Sequence, residues 1–458
     1  MTSFFETITS RLWNRIVGLR RKRATDGLLI GLALEDGRLS KHNIFLPRSK
    51  RPEHQAIFGR TGTGKSSLML SFILQDLAAG RGFAVIDVHG QLTKLILQAA
   101  ADHERRLRKS FSESLVLIQP ADPEFSVGLN PLENLRGQSV FSMIAEFTQV
   151  LKHRWHLDSL GARTEELLRN SLHVLADCRL TLVELAPLLT DASFRAICLR
   201  KVTNNEVRGY FESRYNAASD AMQQALSSPV LNKITGFTAD PRFRHIVGQP
   251  KSTFSIPDAL EQGQIILLDL SKGQLGEQAL TLGSLFLAKL KTSVFGRRSR
   301  KLFTIYADEV QNLITADSGL DSLLSECRKF SIALVTANQF LDQLPTQVRS
   351  ALLAISTHIC FQLSSGDAQA MAAAFDGGKA LAELLKNLPQ RNVVMKSGAQ
   401  PWRRAVVPRV AVPNADYSDL YDRCRERWAR KRSEIEDEIM RRQPTAKRSA
   451  AEVINAWE

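Results

Sequence analysis

The segment GRTGTGKS at 59–66 constrains this chain more than any other part of it. Gly59, Gly62 and Gly64 fall within eight residues, after an apolar stretch at 54–58 and before an apolar helical pattern at 66–77. Glycines tolerate the backbone angles that turn successive N–H groups inward, and a helix beginning there adds its positive end. The spacing GxxxxGK[ST] is therefore that of a cradle for nucleotide phosphates. Gly59, Thr61, Gly62, Thr63, Gly64, Lys65, Ser66 and Ser67 are the candidate binding residues. In such a loop Lys65 reaches the β- and γ-phosphates and the Ser66 hydroxyl ligates Mg²⁺, so ATP and Mg²⁺ are the expected ligands.

The apolar pattern around the loop predicts an α/β fold. Short apolar runs at 83–88, 265–270, 302–307, 331–337 and 358–363 alternate with helical segments, which implies an open, mostly parallel sheet with helices on both faces. From about 131 to 248 the strand signals fade and Leu/Ala/Glu-rich helical patterns take over. At 458 residues the chain exceeds the roughly 250–300 that one core sustains. The expected organisation is a basic amphipathic segment at 1–26 and a nucleotide-binding domain in two parts, 27–130 and 251–400. An all-alpha domain is inserted at 131–250, and a basic helical tail follows at 401–458.

Further chemistry is expected where apolar runs end. The run at 302–307 ends in Asp308 and Glu309. Adjacent carboxylates at a buried strand end are costly unless a cation or a polar cluster receives them. Beside a phosphate cradle, Asp308 would hold a Mg²⁺-bound water and Glu309 would polarise the attacking water as general base. The run at 331–337 ends in Asn338 and Gln339, and Gln339 suits a γ-phosphate sensor. Arg328 sits just upstream, placed to serve as an arginine finger for a neighbouring subunit's nucleotide. Asp87 and His89 leave the strand at 83–88 and are candidates for the pocket wall, and SKG at 271–273 for phosphate or DNA contact; a polar turn is the plain alternative for each. His153 and His156 share one helical face with no carboxylate partner in sequence, which does not make a metal site.

Composition excludes several classes. Hydrophobic residues make up 44% and charged residues 24%, a globular balance. No apolar run approaches the ~18–20 residues of a membrane span. Five cysteines lack CxxC spacing, which points away from zinc and disulfides and toward a reducing cytoplasm. The net charge of +14 fits a polyanionic partner without naming one. At 1–23, Phe4, Phe5, Ile8, Leu12, Ile16 and Leu19 recur at helical spacing among arginines, as in a helix on an anionic membrane surface or on a partner.

Taken together, GRTGTGKS (59–66), AVIDVHGQL (84–92), YADEVQNL (306–313), ECRKFSIALVTANQFLDQL (326–344) and FQLSSGDA (361–368) resemble the FtsK–HerA superfamily of pumping ATPases. The likeness is closest to the TraG/TraD-like conjugative coupling proteins of type IV secretion. LNPLENL (129–135), SSPVLNKITGF (227–237) and VGQPKSTF (247–254) resemble that branch's all-alpha domain and flanks. The resemblance implies a RecA-like P-loop motor with an inserted all-alpha domain, assembled as a ring, usually a hexamer, around DNA. It implies ATP-driven translocation of DNA, single-stranded or a transfer intermediate, with a relaxase and the secretion channel as partners. Residue by residue, Lys65 and Ser66 match the Walker A pair, Asp308 and Glu309 the Walker B pair, Gln339 the glutamine sensor and Arg328 the trans arginine. Typical coupling proteins carry an N-terminal membrane anchor, and no such apolar run is present here. The location implied is cytoplasmic, with residues 1–23 or a partner supplying any contact with the inner membrane. A soluble HerA-like pump acting with a nuclease in end processing or phage defence, and a nucleotide-gated recruitment module, are the competing readings.

Overall fold

A computed structural model describes residues 27–35, 37–108, 110–134, 139–157, 161–313, 324, 326–341 and 344–443. The segment expected at 1–26 and the end of the tail lie outside the described residues. The chain divides into two units. The first comprises Met1–Leu115, Ala259–Asp269 and Arg298–Asp422; the second comprises Val116–Asp258, Leu270–Arg297 and Arg423–Glu458.

The first unit is α/β, as the apolar runs predict. Its strands are β1 (Gly27–Glu35), β2 (Arg38–Pro47), β3 (Gln55–Phe58), β4 (Gly82–Asp87), β5 (Ile265–Asp269), β6 (Phe303–Asp308), β7 (Ile332–Asn338), β8 (Thr357–Cys360), β9 (Asn392–Ser397) and β10 (Arg403–Val406). They lie in the order β2-β1-β10-β9-β8-β3-β7-β6-β4-β5. From β8 to β5 every neighbouring pair is parallel. From β8 to β2 every pair is antiparallel. The parallel strands β3 to β8 are buried along their whole lengths, because helices cover both faces and no alternation is needed. Helix α1 (Lys65–Ala78) follows β3, and α2 (Gln91–Leu107) follows β4. The residues Arg403–Val406, inside the segment read as a helical tail, form the strand that joins the antiparallel flank to β1. Their run is too short and too charged to show a strand period.

One buried ionic cluster locks the cradle's helix to the strand that ends in the carboxylates. Arg51 is fully buried and donates twice to Asp76 of α1, at 2.6 Å each. It also donates to Thr304 Oγ1 and Tyr306 OH of β6, at 2.8 and 3.2 Å, and Tyr306 OH donates to Asp76 at 2.7 Å. Burial alone would raise the Asp76 carboxyl, but Arg51, Tyr306 and Arg81 together outweigh it and hold the group below its ordinary value.

The second unit is mainly helical. Its longer helices are Val140–Arg154, Ala162–Asp177, Asp220–Thr238 and Gln278–Val294. The motifs at 129–135 and 247–254 bind each other where the chain enters and leaves the helical stretch. Asn130 N–H donates to Ser252 Oγ, Ser252 N–H to Glu133, and Asn130 Nδ2 to the Leu180 and Pro250 carbonyls. Lys289, buried to 1% exposure, donates to the Pro131 and Glu133 carbonyls, and burial draws its ammonium down to about 8. Several arginines of the basic tail are spent inside this unit. Arg425 stacks 4.4 Å from the Phe125 ring centre, Arg432 donates to the Pro120 carbonyl, and buried Arg442 pairs with Glu184. All five cysteines are free and buried. Among the described residues no helix is long and apolar enough to cross a membrane.

Asp76→Ala leaves Arg51 buried without its counter-charge, at an expected cost of about 3–5 kcal/mol. The folded carboxyl lies below its unfolded value, so its contribution is complete above about pH 4 and is lost as acid is added. Urea unfolding should show a large deficit at pH 7 that shrinks on acidification. Equal midpoints at pH 7 would contradict the locking role.

Candidate nucleotide site

Parallel strands put their carboxyl ends on one edge of a sheet, and here four adjacent ends meet. The order β3, β7, β6, β4 brings the loop after Phe58, the pair Asn338-Gln339, the pair Asp308-Glu309 and the turn at His89 side by side. Register carries the alignment to the last residue. Phe58 lies opposite Asn338, and Asp308 opposite Ala337. Past the strands, Gly59 N–H still donates to the Asn338 carbonyl and Glu309 N–H to the Ala337 carbonyl.

The loop at 59–64 needs its glycines for two reasons. A Cβ on Gly59 would fall 2.6 Å from Phe361 Cβ, and Gly64 sits at φ 121° as the residue capping α1. Lys65 starts the helix and folds back over the loop, donating to the carbonyls of Gly59 (2.7 Å) and Arg60 (3.1 Å). Burial pulls its ammonium below lysine's ordinary value, against the attraction of Asp308 and Glu309. Thr63 turns inward and donates to the Arg60 carbonyl. Thr61, Gly62, Gly64, Lys65, Ser66 and Ser67 border a cavity of about 370 Å³, with Asp308, Glu309, Gln339 and His89 on its other side.

The carboxylates are held in different ways. Asp308 is 7% exposed and is pushed up to about 6, by burial first and then by repulsion from Glu309 and Asp87. Ser66 Oγ lies 3.5 Å from its Oδ2. Hydroxyl and carboxylate oxygens beside a buried excess of negative charge suit Mg²⁺, a hard cation that prefers oxygen ligands. Glu309 sits at φ 50°, a left-handed conformation that costs a non-glycine residue roughly 1–3 kcal/mol and recurs at functional sites. Its carboxylate accepts from Gln339 Nε2 at 2.7 Å and from Asn312 Nδ2 at 2.9 Å, and His89 Nε2 lies 3.2 Å away. The Thr61 hydroxyl donates to Gln339 Oε1, which ties the loop to the glutamine and so to Glu309.

Other candidates lie elsewhere. Asp87 does not border the cavity; it caps α2, accepting from the N–H groups of Gly90 and Thr93 and from the Thr93 hydroxyl. Lys272 pairs with Glu277 in the second unit. Arg328 is 65% exposed at the start of β7 and lies 3.5 Å from Glu53. That is the amino end of a seven-residue strand whose carboxyl end carries Gln339, about 20 Å along the sheet. Arg328 therefore does not reach its own chain's cavity. The sequence reading also missed three cavity residues, Gln390, Arg391 and Arg409. They flank the antiparallel strands β9 and β10, more than 320 positions from the loop. Proline at 389 and 408 is the one local sign of a turn there.

The fold and this edge define a RecA-like P-loop ATPase core. A family model, the type IV secretion-system coupling protein DNA-binding domain, matches residues 38–410, and the chain belongs to that family. The bacterial conjugative coupling protein TrwBdeltaN70, unbound, is 16% identical over 88% of this chain and 93% of its own, with a TM-score of 0.56. TrwB in complex with a non-hydrolysable ATP analogue is 17% identical over 88% and 94%, with a TM-score of 0.59. VirB4 of Thermoanaerobacter pseudethanolicus is 16% identical over 85% and 98%, with a TM-score of 0.57. At such identities these likenesses speak for the fold. No match is found among curated proteins.

Asp308→Asn removes a buried charge that its surroundings oppose. The ligand-free variant should be more stable at neutral pH by about 1–3 kcal/mol, read as a higher thermal midpoint. An unchanged or lower midpoint would show that the carboxylate is not under this strain.

Proposed function

We propose that the chain is an ATP-driven DNA translocase that serves a type IV secretion or conjugation machine, moving DNA or a DNA–relaxase complex toward the channel. The observation that carries this reading is the convergence of Lys65, Ser66, Asp308, Glu309 and Gln339 on one cavity, in a chain of the coupling-protein family.

ATP is the substrate of the proposed reaction. Lys65 neutralises the β- and γ-phosphates when it swings from the Gly59 and Arg60 carbonyls, its resting partners. Ser66 and Asp308 would hold Mg²⁺, which, when bound, neutralises charge developing on the phosphates. Glu309 takes the proton of the attacking water, and Gln339, Asn312 and His89 fix the direction of its carboxylate. Gln339 spans Thr61 and Glu309, so a change at the γ-phosphate is felt by loop and base together. TrwB structures in complex with ADP and Mg²⁺ and with non-hydrolysable analogues of GTP and ATP agree with this choice of ligands.

The polymer partner follows from charge and family. A net +14 lets a ring's pore track phosphates, and binding should weaken steeply with salt as counterions are released. A homo-oligomeric ring, hexameric by resemblance to the superfamily, supplies what one chain lacks. Arg328, 65% exposed at the end of the strands away from its own cavity, would leave its contact with Glu53 to enter a neighbour's.

Glu309→Gln should bind ATP, fail to hydrolyse it, and stay on DNA in an ATP-dependent complex; a variant that turns over normally would remove Glu309 from the chemistry. Arg328→Ala should keep ATP affinity and lose about 10³–10⁵ in turnover. Mixing it with Lys65→Ala should restore part of the ATPase rate, since some interfaces then pair an intact loop with an intact arginine. No recovery in mixtures that assemble would count against sharing of the site.

A further inference from the structure

The cavity has a third wall that neither the Walker residues nor the sensor accounts for. Arg391 precedes β9 and Arg409 follows β10, and both border the cavity. Asn392 pairs with Val406, so the two arginines flank the same end of one strand pair. Neither has an acidic partner among the described residues. Burial draws the Arg391 guanidinium below its ordinary value, and repulsion from Arg409 adds to that. Two guanidinium groups bordering one cavity, neither paired with a carboxylate, repel each other until an anion arrives between them.

Arg391 is also held in place by the loop itself. Its backbone sits at φ 65°, a strained setting for a residue with a side chain. Its N–H donates to the Thr63 carbonyl at 2.9 Å, and its own carbonyl accepts from Val407 N–H. Gln390 Nε2 donates to the Gly62 carbonyl at 2.9 Å. The Arg391 side chain runs alongside Gly64, its Cγ 3.6 Å from where a Cβ would stand. These contacts fall at Gly62–Gly64, the part of a phosphate loop that cradles the α- and β-phosphates. Glu309 and Gln339 face the γ end.

We propose that Arg391 and Arg409 grip the nucleotide in cis at its α/β-phosphate end, so that ADP and ATP are held by them equally. This rests on the reading that the cavity takes a nucleoside triphosphate. It makes the antiparallel strand pair β9–β10 part of the nucleotide site, pulled toward the loop for as long as either nucleotide is bound.

The test is equilibrium binding of fluorescent ADP and ATP analogues to the full chain with Mg²⁺, for Arg391→Gly, Arg409→Ala and Lys65→Ala. Glycine accepts φ 65° without strain, so Arg391→Gly removes the guanidinium and keeps the loop. Arg409 is exposed, so its alanine variant is expected to fold. Each arginine variant should weaken ADP and ATP by the same factor, on the order of 10–100-fold, and less so at high salt. Unchanged affinities in both, with Lys65→Ala weakened, would overturn the grip and leave the nucleotide reading intact. Loss of ATP binding alone would also overturn it, because the guanidinium groups would then be reading the γ-phosphate. Normal binding by Lys65→Ala would instead sink the reading of the cavity on which the grip depends.

Discussion

Parallel pairing is the constraint on which the site depends. A parallel strand can only be followed by a crossover, so every strand from β8 to β5 points its carboxyl end the same way. Candidate site residues drawn from positions 59 to 339 therefore need no long loops to meet. Asp308, Glu309, Gln339 and His89 sit within two residues of a strand end, Lys65 and Ser66 follow β3 by one short loop, and the hydrogen-bonded ladder continues past the strands through the Gly59 and Glu309 N–H groups. A shift of one residue in β6 or β7 would turn Asp308 or Asn338 to the opposite face. The buried cluster of Arg51, Asp76, Thr304 and Tyr306 opposes such slippage, because it bonds the helix after the loop to the strand that ends in the carboxylates.

The same edge holds its charges under tension. Asp308 is buried beside two other carboxylates, Glu309 adopts a left-handed backbone, and Arg391 and Arg409 repel each other beside the cavity. Each of these costs stability, and the two charge repulsions would be relieved by a cation and by phosphate oxygens respectively. Opposed charges and left-handed backbone at one cavity are what a site built for a charged ligand would carry. The arginines of the tail show the contrary case. Arg425, Arg432 and Arg442 satisfy local partners in the second unit, so charge read from the sequence overstates what is free to meet a polyanion.

The sequence made the local features plain and hid the distant ones. Glycine spacing at 59–64 and two carboxylates ending an apolar run are short-range signals with a direct physical cause, so the loop and the pair Asp308-Glu309 stood out. Parallel strands buried on both faces read as unbroken apolar runs, which gave the α/β class. The last strand of the antiparallel flank did not read as sheet, since Arg403–Val406 is four residues long and carries two arginines. Arg391 and Arg409 were invisible for a different reason. Their importance comes from a positive φ and from contacts with residues more than 320 positions away, and neither leaves a local pattern. Asp87 looked like a pocket residue because it ends a strand at the right edge, yet its carboxylate is used up in capping α2.

The central claim is that this edge splits ATP and that DNA quickens the reaction. The most direct measurement is the steady-state rate of phosphate release by the purified full chain with Mg²⁺, without DNA and across a DNA titration, from low to physiological salt. The account predicts Mg²⁺-dependent hydrolysis that rises with DNA and loses that rise as salt increases. A rate indistinguishable from background when ATP, Mg²⁺ and DNA are all present, with the assembled ring verified in the same sample, would contradict it.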